Sequence, residues 1–374
     1  MRVLEILERL VAFPSVVGRP NSEIVDWIRA YLEPLGARVH ILPGPEGDRA
    51  NLFATLGPAS ERGYVLSGHM DVVPADEPTW TSSPFQLRAD GDRFYGRGAT
   101  DMKGYLAAAL AAAPKFAGAE LARPIHFAFS YDEEAGCRGA PHMLARLSEL
   151  CAPPLGAIIG EPSGLRAIRA HKGKIAVRVT IEGRSGHSSR PDQGLNAIHA
   201  MSQILTAAAD AADELARGPL DPDFDPPYSS LQVGTIKGGR ALNIIPDFCQ
   251  IEFEARSIAG VDPAGLLAPV RRAAETLTER GFGVKWQEMS AYPALSQSKA
   301  TPLVQLVEDL TRRRSLAAVS YGTEAGLFQK AGVDAVICGP GDIVRAHKAD
   351  EYILMSELEA CQSMLEALAA PCSA

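Results

Sequence analysis

A histidine and an aspartate two residues apart follow directly after a short apolar run. His69 and Asp71 come after residues 64–66, which have the composition of a strand. Side chains at i and i+2 of a strand point to the same face, so both would emerge together at its carboxyl end. That end is where ligands bind in open α/β sheets. Asp101 follows a glycine-rich turn and precedes a helical run over 104–113, and this mixture of imidazole and carboxylate suits a metal such as zinc.

Adjacent acidic residues follow a second predicted strand. Residues 124–131 read as a strand and run directly into Asp132, Glu133 and Glu134. Three neighbouring carboxylates repel one another, so a surface strand end rarely needs them. Taken alone, the run is either a solvated acidic turn or a pair of glutamates that divide two tasks, metal binding and general-base catalysis.

Two more candidate ligands lie further along the chain. Glu161 follows the short buried strand over 157–159, and Pro162 fixes the backbone just beyond it. His347 lies in a polar loop beside charged neighbours, where a surface histidine is the simpler interpretation of a single residue. Both become informative only together with the acids and the histidine described above.

These positions make a complete ligand set for two metal ions. Two metals that share one bridging carboxylate would each take one histidine and one further carboxylate. Zinc accepts nitrogen and oxygen ligands and leaves a position open for water at catalytic sites, and two such ions about 3.5–4 Å apart can polarise a carbonyl. Glu133 is then the general base, and Asp71 orients the imidazole of His69. The predicted ligands are His69, Asp101, Glu134, Glu161 and His347.

The elements that must position these residues form two patterns. Strands alternate with helices between residues 51 and 161, which predicts an α/β domain with a mixed, mostly parallel sheet and helices on both faces. From residue 174 the order becomes strand, helix, strand, strand, helix, strand, as in a compact two-layer α+β module. The first pattern then returns. We therefore predict a metal-binding catalytic domain from residues 1–173 and 291–374, interrupted by an inserted domain at 174–290.

Length and composition are those of an ordinary soluble enzyme. The chain has 374 residues, of which 46% are hydrophobic, enough for one large domain or two. A net charge of -8 argues against nucleic acid as a partner. The six cysteines form no Cys-x-x-Cys pair, which favours reduced thiols over a disulfide framework. We see no signal peptide and no apolar segment of membrane length, and we expect a cytoplasmic protein without a membrane partner.

Longer motifs surround the candidate ligands. Residues 67–74 read Ser-Gly-His-x-Asp-Val-Val-Pro, and residues 96–104 read Gly-Arg-Gly-x-x-Asp-Met-Lys-Gly. Together with the Glu-Glu pair and Gly-Glu-Pro at 160–162, they resemble the two-zinc aminoacylase and carboxypeptidase family, most closely its acetylornithine deacetylase branch. The likeness runs from about residue 3 to 368, and further segments typical of the branch lie at 130–136, 170–174, 186–189, 321–328 and 338–351.

The resemblance implies how the five ligands divide between two divalent ions. Asp101 would bridge the ions, and Glu133 would activate the water molecule between them. Zinc is the expected metal, with cobalt as the alternative. One ion would be held by His69, Asp101 and Glu161, and the other by Asp101, Glu134 and His347.

The resemblance also implies roles for the inserted domain. In this family the domain is a lid that also dimerises, so a homodimer is expected. His187 resembles the histidine that reaches the active site of the partner subunit and stabilises the oxyanion. Asn243 and Arg256 resemble the lid residues that hold the substrate carboxylate, and a guanidinium suits that task because it can bind a carboxylate at two points.

The expected activity is metal-dependent hydrolysis of N-acetyl-L-ornithine to L-ornithine and acetate, a step of arginine biosynthesis. The alternative is the same chemistry on acetyl-citrulline, succinyl-diaminopimelate or another acyl amino acid. The diaminopimelate branch usually carries a Ser-Asp segment where this chain has residues 321–326, which favours the ornithine branch. A non-catalytic dimeric relative would be expected to lose Glu133 or a ligand, and all of them are present.

Overall fold

The structure is a computed structural model that describes residues 1–373. The chain divides into two compact units. The first unit comprises Met1–Ala170, Gln297–Ala317 and the chain from Thr323 onward, and the second comprises His171–Ser296 and Ala318–Gly322. The sequence-based division placed residues 171–173, 291–296 and 318–322 with the catalytic domain, whereas they group with the second unit.

Helices and strands alternate through most of the chain. The helices are α1 (Val3–Val11), α2 (Ser22–Leu32), α3 (Lys103–Ala117), α4 (Ala140–Leu144), α5 (Leu147–Leu150), α6 (Ala197–Leu215), α7 (Ala268–Glu279), α8 (Pro302–Thr311), α9 (Ala325–Lys330), α10 (Met355–Ala367) and α11 (Ala369–Cys372). The strands are β1 (Arg38–Pro43), β2 (Ala50–Leu56), β3 (Tyr64–His69), β4 (Arg88–Asp90), β5 (Arg93–Tyr95), β6 (Ile125–Ser130), β7 (Gly156–Pro162), β8 (Ile168–His171), β9 (Gly173–Glu182), β10 (Ser230–Gly238), β11 (Phe248–Ser257), β12 (Gly283–Tyr292), β13 (Leu295–Ser296), β14 (Leu316–Val319), β15 (Ala335–Gly339) and β16 (Tyr352–Leu354).

The main sheet of the first unit has four parallel strands at its centre. Seven of its strands lie in the order β1-β2-β6-β3-β7-β15-β8. β6, β3, β7 and β15 run parallel to one another, while β1, β2 and β8 join antiparallel. The predicted mixed, mostly parallel sheet is therefore confirmed. Because the carboxyl ends of parallel strands meet at one edge, the residues that follow these four strands are brought together.

Helices packed on this sheet bury most of the apolar residues of the first unit. α1 buries Ile6, Leu7 and Leu10 at the spacing of an amphipathic helix. α3 is buried along residues 103–113, as expected for an alanine-rich helix that is apolar all round and lies inside the core. α1 and α10 both pack against α3. A rigid core therefore supports Asp101, which precedes α3 by two residues.

The second unit is a four-stranded antiparallel sheet covered by two helices. Its strands lie in the order β10-β11-β9-β12. Residues of β9 alternate between buried and half-buried positions, so one face of the sheet packs against α6 and α7. The order of elements predicted for the inserted domain is observed. The helix predicted over 262–280 begins instead as a 3-10 turn, Pro263–Leu267, before α7.

A small three-stranded sheet in the first unit was not predicted. Its order is β16-β5-β4, with strands of three residues each. Aromatic rings and guanidinium groups cover it, with Arg88 4.1 Å above the ring of Tyr95 and Arg345 4.7 Å above the ring of Tyr352. Among residues 1–373, no helix has the length and apolar character needed to cross a membrane.

Candidate metal centre

The four central strands of the first unit lead directly to the predicted ligands. β3 ends at His69, β6 runs into Glu133 and Glu134, and Glu161 is the second-last residue of β7. β15 leads into the loop that carries His347. The parallel pairing of these strands explains why residues so far apart in sequence meet at one edge of the sheet.

A close approach between β3 and the start of α3 sets His69 against Asp101. A Cβ atom at Gly68 would lie 2.5 Å from Cε of Met102 and 3.0 Å from Cδ2 of Leu106. Glycine lets these side chains pack directly over the backbone of β3. As a result, Nε2 of His69 lies 3.1 Å from Oδ1 of Asp101.

Asp101 stands between the two histidines. Its Oδ1 atom faces His69, and its Oδ2 atom lies 3.2 Å from Nε2 of His347. His347 also lies 2.9 Å from Oε1 of Glu134. The Oε1 atom of Glu161 lies 3.8 Å from Nε2 of His69. The Nε2 atom of each imidazole therefore faces two carboxylates, and Asp101 is the carboxylate that both histidines share.

The close carboxylates and imidazoles shift one another's pKa values. Burial lowers the pKa of His69, but Asp101, Asp71 and Glu161 raise it well above its usual value. Hydrogen bonds to Asp101 and Glu134 raise the pKa of His347 to about 10. Burial raises the pKa of Glu161, and the charge of Asp101 raises it further. The raised pKa values of both histidines therefore reflect the carboxylates around them.

The surroundings of Glu133 favour the protonated form of its carboxylate. Burial raises its pKa to about 8, with further contributions from the charges of Glu134, Asp71 and Asp101. The thiol of Cys137 lies 3.2 Å from its Oε1 atom. A carboxylate with a pKa near neutrality can both accept and return a proton, as a general base must.

Asp71 differs in detail from the expectation. Its backbone carbonyl oxygen lies 2.9 Å from Nδ1 of His69, whereas its carboxylate oxygen Oδ1 is 3.7 Å away. The carboxylate instead accepts the backbone N–H groups of Glu133 and Glu134, each at 3.1 Å. One residue thus orients the imidazole through its main chain and the two glutamates through its side chain.

A buried carboxylate that sequence reasoning did not assign connects the Asp101 turn to the His347 loop. Glu351 accepts the backbone N–H groups of Gly98, Thr100 and Asp101 at distances of 2.9–3.0 Å. The guanidinium of Arg97, which is itself buried, lies 3.1 Å from Glu351. The glycine-rich sequence of the turn was the available signal, because successive backbone N–H groups in such a turn bind anions.

The residues present include two overlapping groups of donor atoms that could hold a metal ion. Two sets of three donor atoms lie within 4.8 Å of one another, one in His69, Glu133 and Glu161 and the other in His69, Asp101 and Glu134. Ligands placed tetrahedrally about 2.0–2.1 Å from zinc lie about 3.3 Å apart, close to the nitrogen–oxygen separations described above. The nitrogen and oxygen donors are also those that zinc accepts.

Comparison with known proteins identifies the family. The model of a family described as "Peptidase family M20/M25/M40" matches residues 65–370. A protein from Photorhabdus laumondii named acetylornithine deacetylase is 33% identical over 362 residues, which cover 94% of this chain and 92% of that protein. The chain belongs to the M20/M25/M40 peptidase family. It is therefore a hydrolase that acts on an amide bond, and the metal-binding character predicted for it is confirmed.

Solved structures of M20 proteins share the fold. A metallo-carboxypeptidase of the M20 family from Sulfolobus solfataricus has a TM-score of 0.81 at 19% identity, covering 99% of this chain and 98% of that one. A Bacillus subtilis M20 peptidase described as binding a dinuclear metal has a TM-score of 0.67 at 16% identity, covering 99% of this chain and 97% of that one. At these identities the likeness concerns the fold.

The other predicted site residues belong to the second unit. His187 is exposed, and its Nδ1 atom lies 2.7 Å from Oγ of Ser189. Asn243 is also exposed and is close to His187 in the fold, because the backbone N–H of Ser188 donates to the carbonyl of Asn243. Arg256 is half-buried on β11 and donates to Glu254 at 2.9 Å. The unit therefore brings His187 and Asn243 together on two adjacent loops.

Proposed function

We propose that this M20 hydrolase removes the acetyl group from N-acetyl-L-ornithine, giving L-ornithine and acetate. The observation that carries the proposal is the likeness to proteins named acetylornithine deacetylase along nearly the whole chain. All residues predicted to bind metal or act as the base are present in the first unit. The substrate would be a small N-acyl amino acid, and the reaction a step of arginine biosynthesis in the cytoplasm.

The proposal includes two divalent metal ions per subunit, zinc first and cobalt second. His69, Asp101 and Glu161 would hold one ion, and Asp101, Glu134 and His347 the other. When bound, such ions polarise the carbonyl of the substrate and lower the pKa of water. The two oxygens of Asp101 already face different histidines, which supports its role as the shared ligand.

Glu133 would act as the general base and then as the general acid. Its carboxylate takes a proton from the attacking water and returns it to the departing amine nitrogen. Asp71 holds the main chain of Glu133 in place through the 3.1 Å hydrogen bond to its N–H.

The second unit would be the lid and dimerisation domain. In this proposal His187 donates to the oxyanion that forms when the acetyl carbonyl is attacked, and it does so in the active site of the partner subunit. Asn243 and Arg256 would bind the α-carboxylate of the substrate. The exposure of His187 and Asn243 supports these roles, because groups that bind substrate or a partner's site must be accessible.

A kinetic panel tests the substrate. The purified, metal-replete enzyme would be assayed with acetyl-, formyl- and succinyl-amino acids that include N-acetyl-L-ornithine, acetyl-citrulline and succinyl-diaminopimelate. We expect the highest kcat/KM with N-acetyl-L-ornithine. A clearly higher kcat/KM with a succinylated or aromatic substrate would overturn this assignment while leaving the amide-hydrolase activity intact.

A further inference from the structure

A buried carboxylate outside the metal centre touches both strands that carry its main residues. Glu324 directly precedes α9, and its side chain is about as buried as any in the core, with 1% of the residue exposed. Its Oε1 atom accepts a hydrogen bond from Oγ of Ser67 at 2.6 Å, and its Oε2 atom accepts one from Oγ of Ser130 at 2.8 Å. One carboxylate therefore spans two serines on neighbouring strands.

The register of β3 and β6 shows what this bridge holds. Ser67 pairs with Ala128, and Ser130 pairs with His69, so both serines lie near the carboxyl ends of these parallel strands. Ser67 precedes His69 by two residues and points to the same face. Ser130 is the last residue of β6 and precedes Glu133 by three residues.

Glu324 is well suited to act as a fixed anchor. Its main chain is held by the turn that begins α9, because its carbonyl accepts the N–H groups of Leu327 and Phe328. The hydroxyl of Thr323 accepts the N–H of Ala325 at 3.0 Å. Burying a carboxylate opposes folding unless hydrogen bonds compensate, and apolar packing alone would be served better by leucine or methionine. The position therefore carries a function beyond filling space.

We propose that Glu324 is a positioning residue that ties the carboxyl ends of β3 and β6 together. The tie fixes the separation between His69 on one strand and Glu133 and Glu134 beyond the other. This inference rests on the roles proposed above for those three residues. It also gives a structural role to the segment 321–326. This segment stands where the diaminopimelate branch usually carries a Ser-Asp segment.

Two substitutions separate the effect of the two hydrogen bonds of Glu324 from the effect of its negative charge. In Glu324→Gln the amide N–H can donate to Ser67, which can then donate its own proton to the carbonyl of Ala128, 3.2 Å away. The amide oxygen can accept from Ser130 as before. Glu324→Gln thus keeps both contacts without the charge, whereas Glu324→Ala removes both contacts.

The experiment measures kcat, KM, the melting temperature and the rate at which a chelator removes zinc from each variant. Loss of residues that orient metal ligands typically costs about 10–100-fold in activity or metal affinity, and we expect a loss of that size for Glu324→Ala, in kcat and zinc retention rather than KM. Glu324→Gln should recover most of it. Ser130→Ala, which removes a single oxygen atom, should fall between wild type and Glu324→Ala and serves if Glu324→Ala does not fold.

A matched control is available at another buried hydrogen bond that involves β6. Thr55 bonds to Nδ1 of His126 at 2.9 Å, a buried tie between β2 and the amino-terminal end of β6. Thr55→Ala should lower the melting temperature and leave kcat and zinc retention unchanged. The inference is wrong if Glu324→Ala behaves like Thr55→Ala, or if Glu324→Gln is as impaired as Glu324→Ala.

Failure of this inference can be told apart from failure of the proposed substrate. Zinc retention does not depend on the substrate. The kinetic comparison is made with whichever member of the panel the wild-type enzyme hydrolyses best. A wild-type enzyme that prefers another acyl amino acid would therefore change the substrate and leave the test of Glu324 intact.

Discussion

The two units of the chain bury very different residues. Among residues 1–373 the first unit buries six acidic side chains, whereas the second unit buries none. The second unit buries His171 and Lys172, and the ammonium group of Lys172 donates to the carbonyls of Pro226 and Tyr228, each at 2.8 Å. The buried acids of the first unit are Asp71, Asp101, Asp132, Glu161, Glu324 and Glu351.

This difference indicates that substitutions in the two units should have different effects on activity and on stability. A buried carboxylate must be compensated by hydrogen bonds, opposite charges or metal ions, and the first unit provides them through backbone N–H groups, serine hydroxyls and imidazoles. The second unit is held by apolar contacts between its sheet and α6 and α7. Substitutions in the first unit should therefore affect activity strongly, and substitutions in the core of the second unit should affect mainly folding.

Metal removal should have the largest effect. Wild-type protein treated with a chelator should lose its activity completely, because the carbonyl is no longer polarised, and zinc or cobalt should restore it. The melting temperature should also fall, since a ligand that binds only the folded state stabilises it. Elemental analysis of the active protein should give close to two equivalents per subunit. Full activity with one equivalent would contradict the two-metal proposal.

Glu133→Gln should have the next largest effect. It removes the base without changing its size, and a general base contributes on the order of 10²–10⁴-fold to the rate. We expect kcat to fall by about that factor while metal content and melting temperature stay close to those of the wild type. A variant that loses its metals, or that keeps near-normal turnover, would show that Glu133 is a ligand or is dispensable.

The strand-end members of the proposed ligand set were predictable from sequence because their signals are local. His69 and Asp71 have the i, i+2 spacing of a strand end, and Glu133 and Glu134 follow a strand directly. The positions at which strands end could be read from apolar runs, and parallel pairing brings those ends together. Local pattern and general topology together were therefore sufficient to predict that these side chains meet.

The contacts that Glu351 and Glu324 make with the residues around the site were not predictable in the same way. Glu351 lies 250 residues from Asp101 in sequence, and Glu324 lies 257 residues from Ser67. Neither acid stands at the end of a predicted strand, and no periodicity marks its partner. The three-residue strands β4, β5 and β16 were missed for a related reason, because so short a segment has no measurable alternation.

His187→Ala tests whether the second unit takes part in chemistry at all. Loss of one oxyanion donor typically costs about 10²–10³-fold in kcat, and metal content and folding should be unchanged because His187 is exposed and lies outside the first unit. Mixing His187→Ala with Glu133→Ala protein tests the partner-subunit role. A hybrid dimer would hold one site with both defects and one with neither, so activity should partly return. If subunits exchange and no activity reappears, His187 does not act across subunits.

The smallest expected effect on activity is that of truncating the core of the second unit. Ile204 is fully buried in α6, and Ile→Ala substitutions in such positions cost about 2–5 kcal/mol. Ile204→Ala should therefore lower the free energy of unfolding by that amount, measured by urea denaturation, and leave kcat per folded molecule nearly unchanged. Leu106→Ala is the matched substitution in the first unit. Leu106 is equally buried but packs over Gly68 beside His69, so its truncation should lower both stability and kcat. Equal losses of kcat in the two variants would mean that the division between the units does not hold.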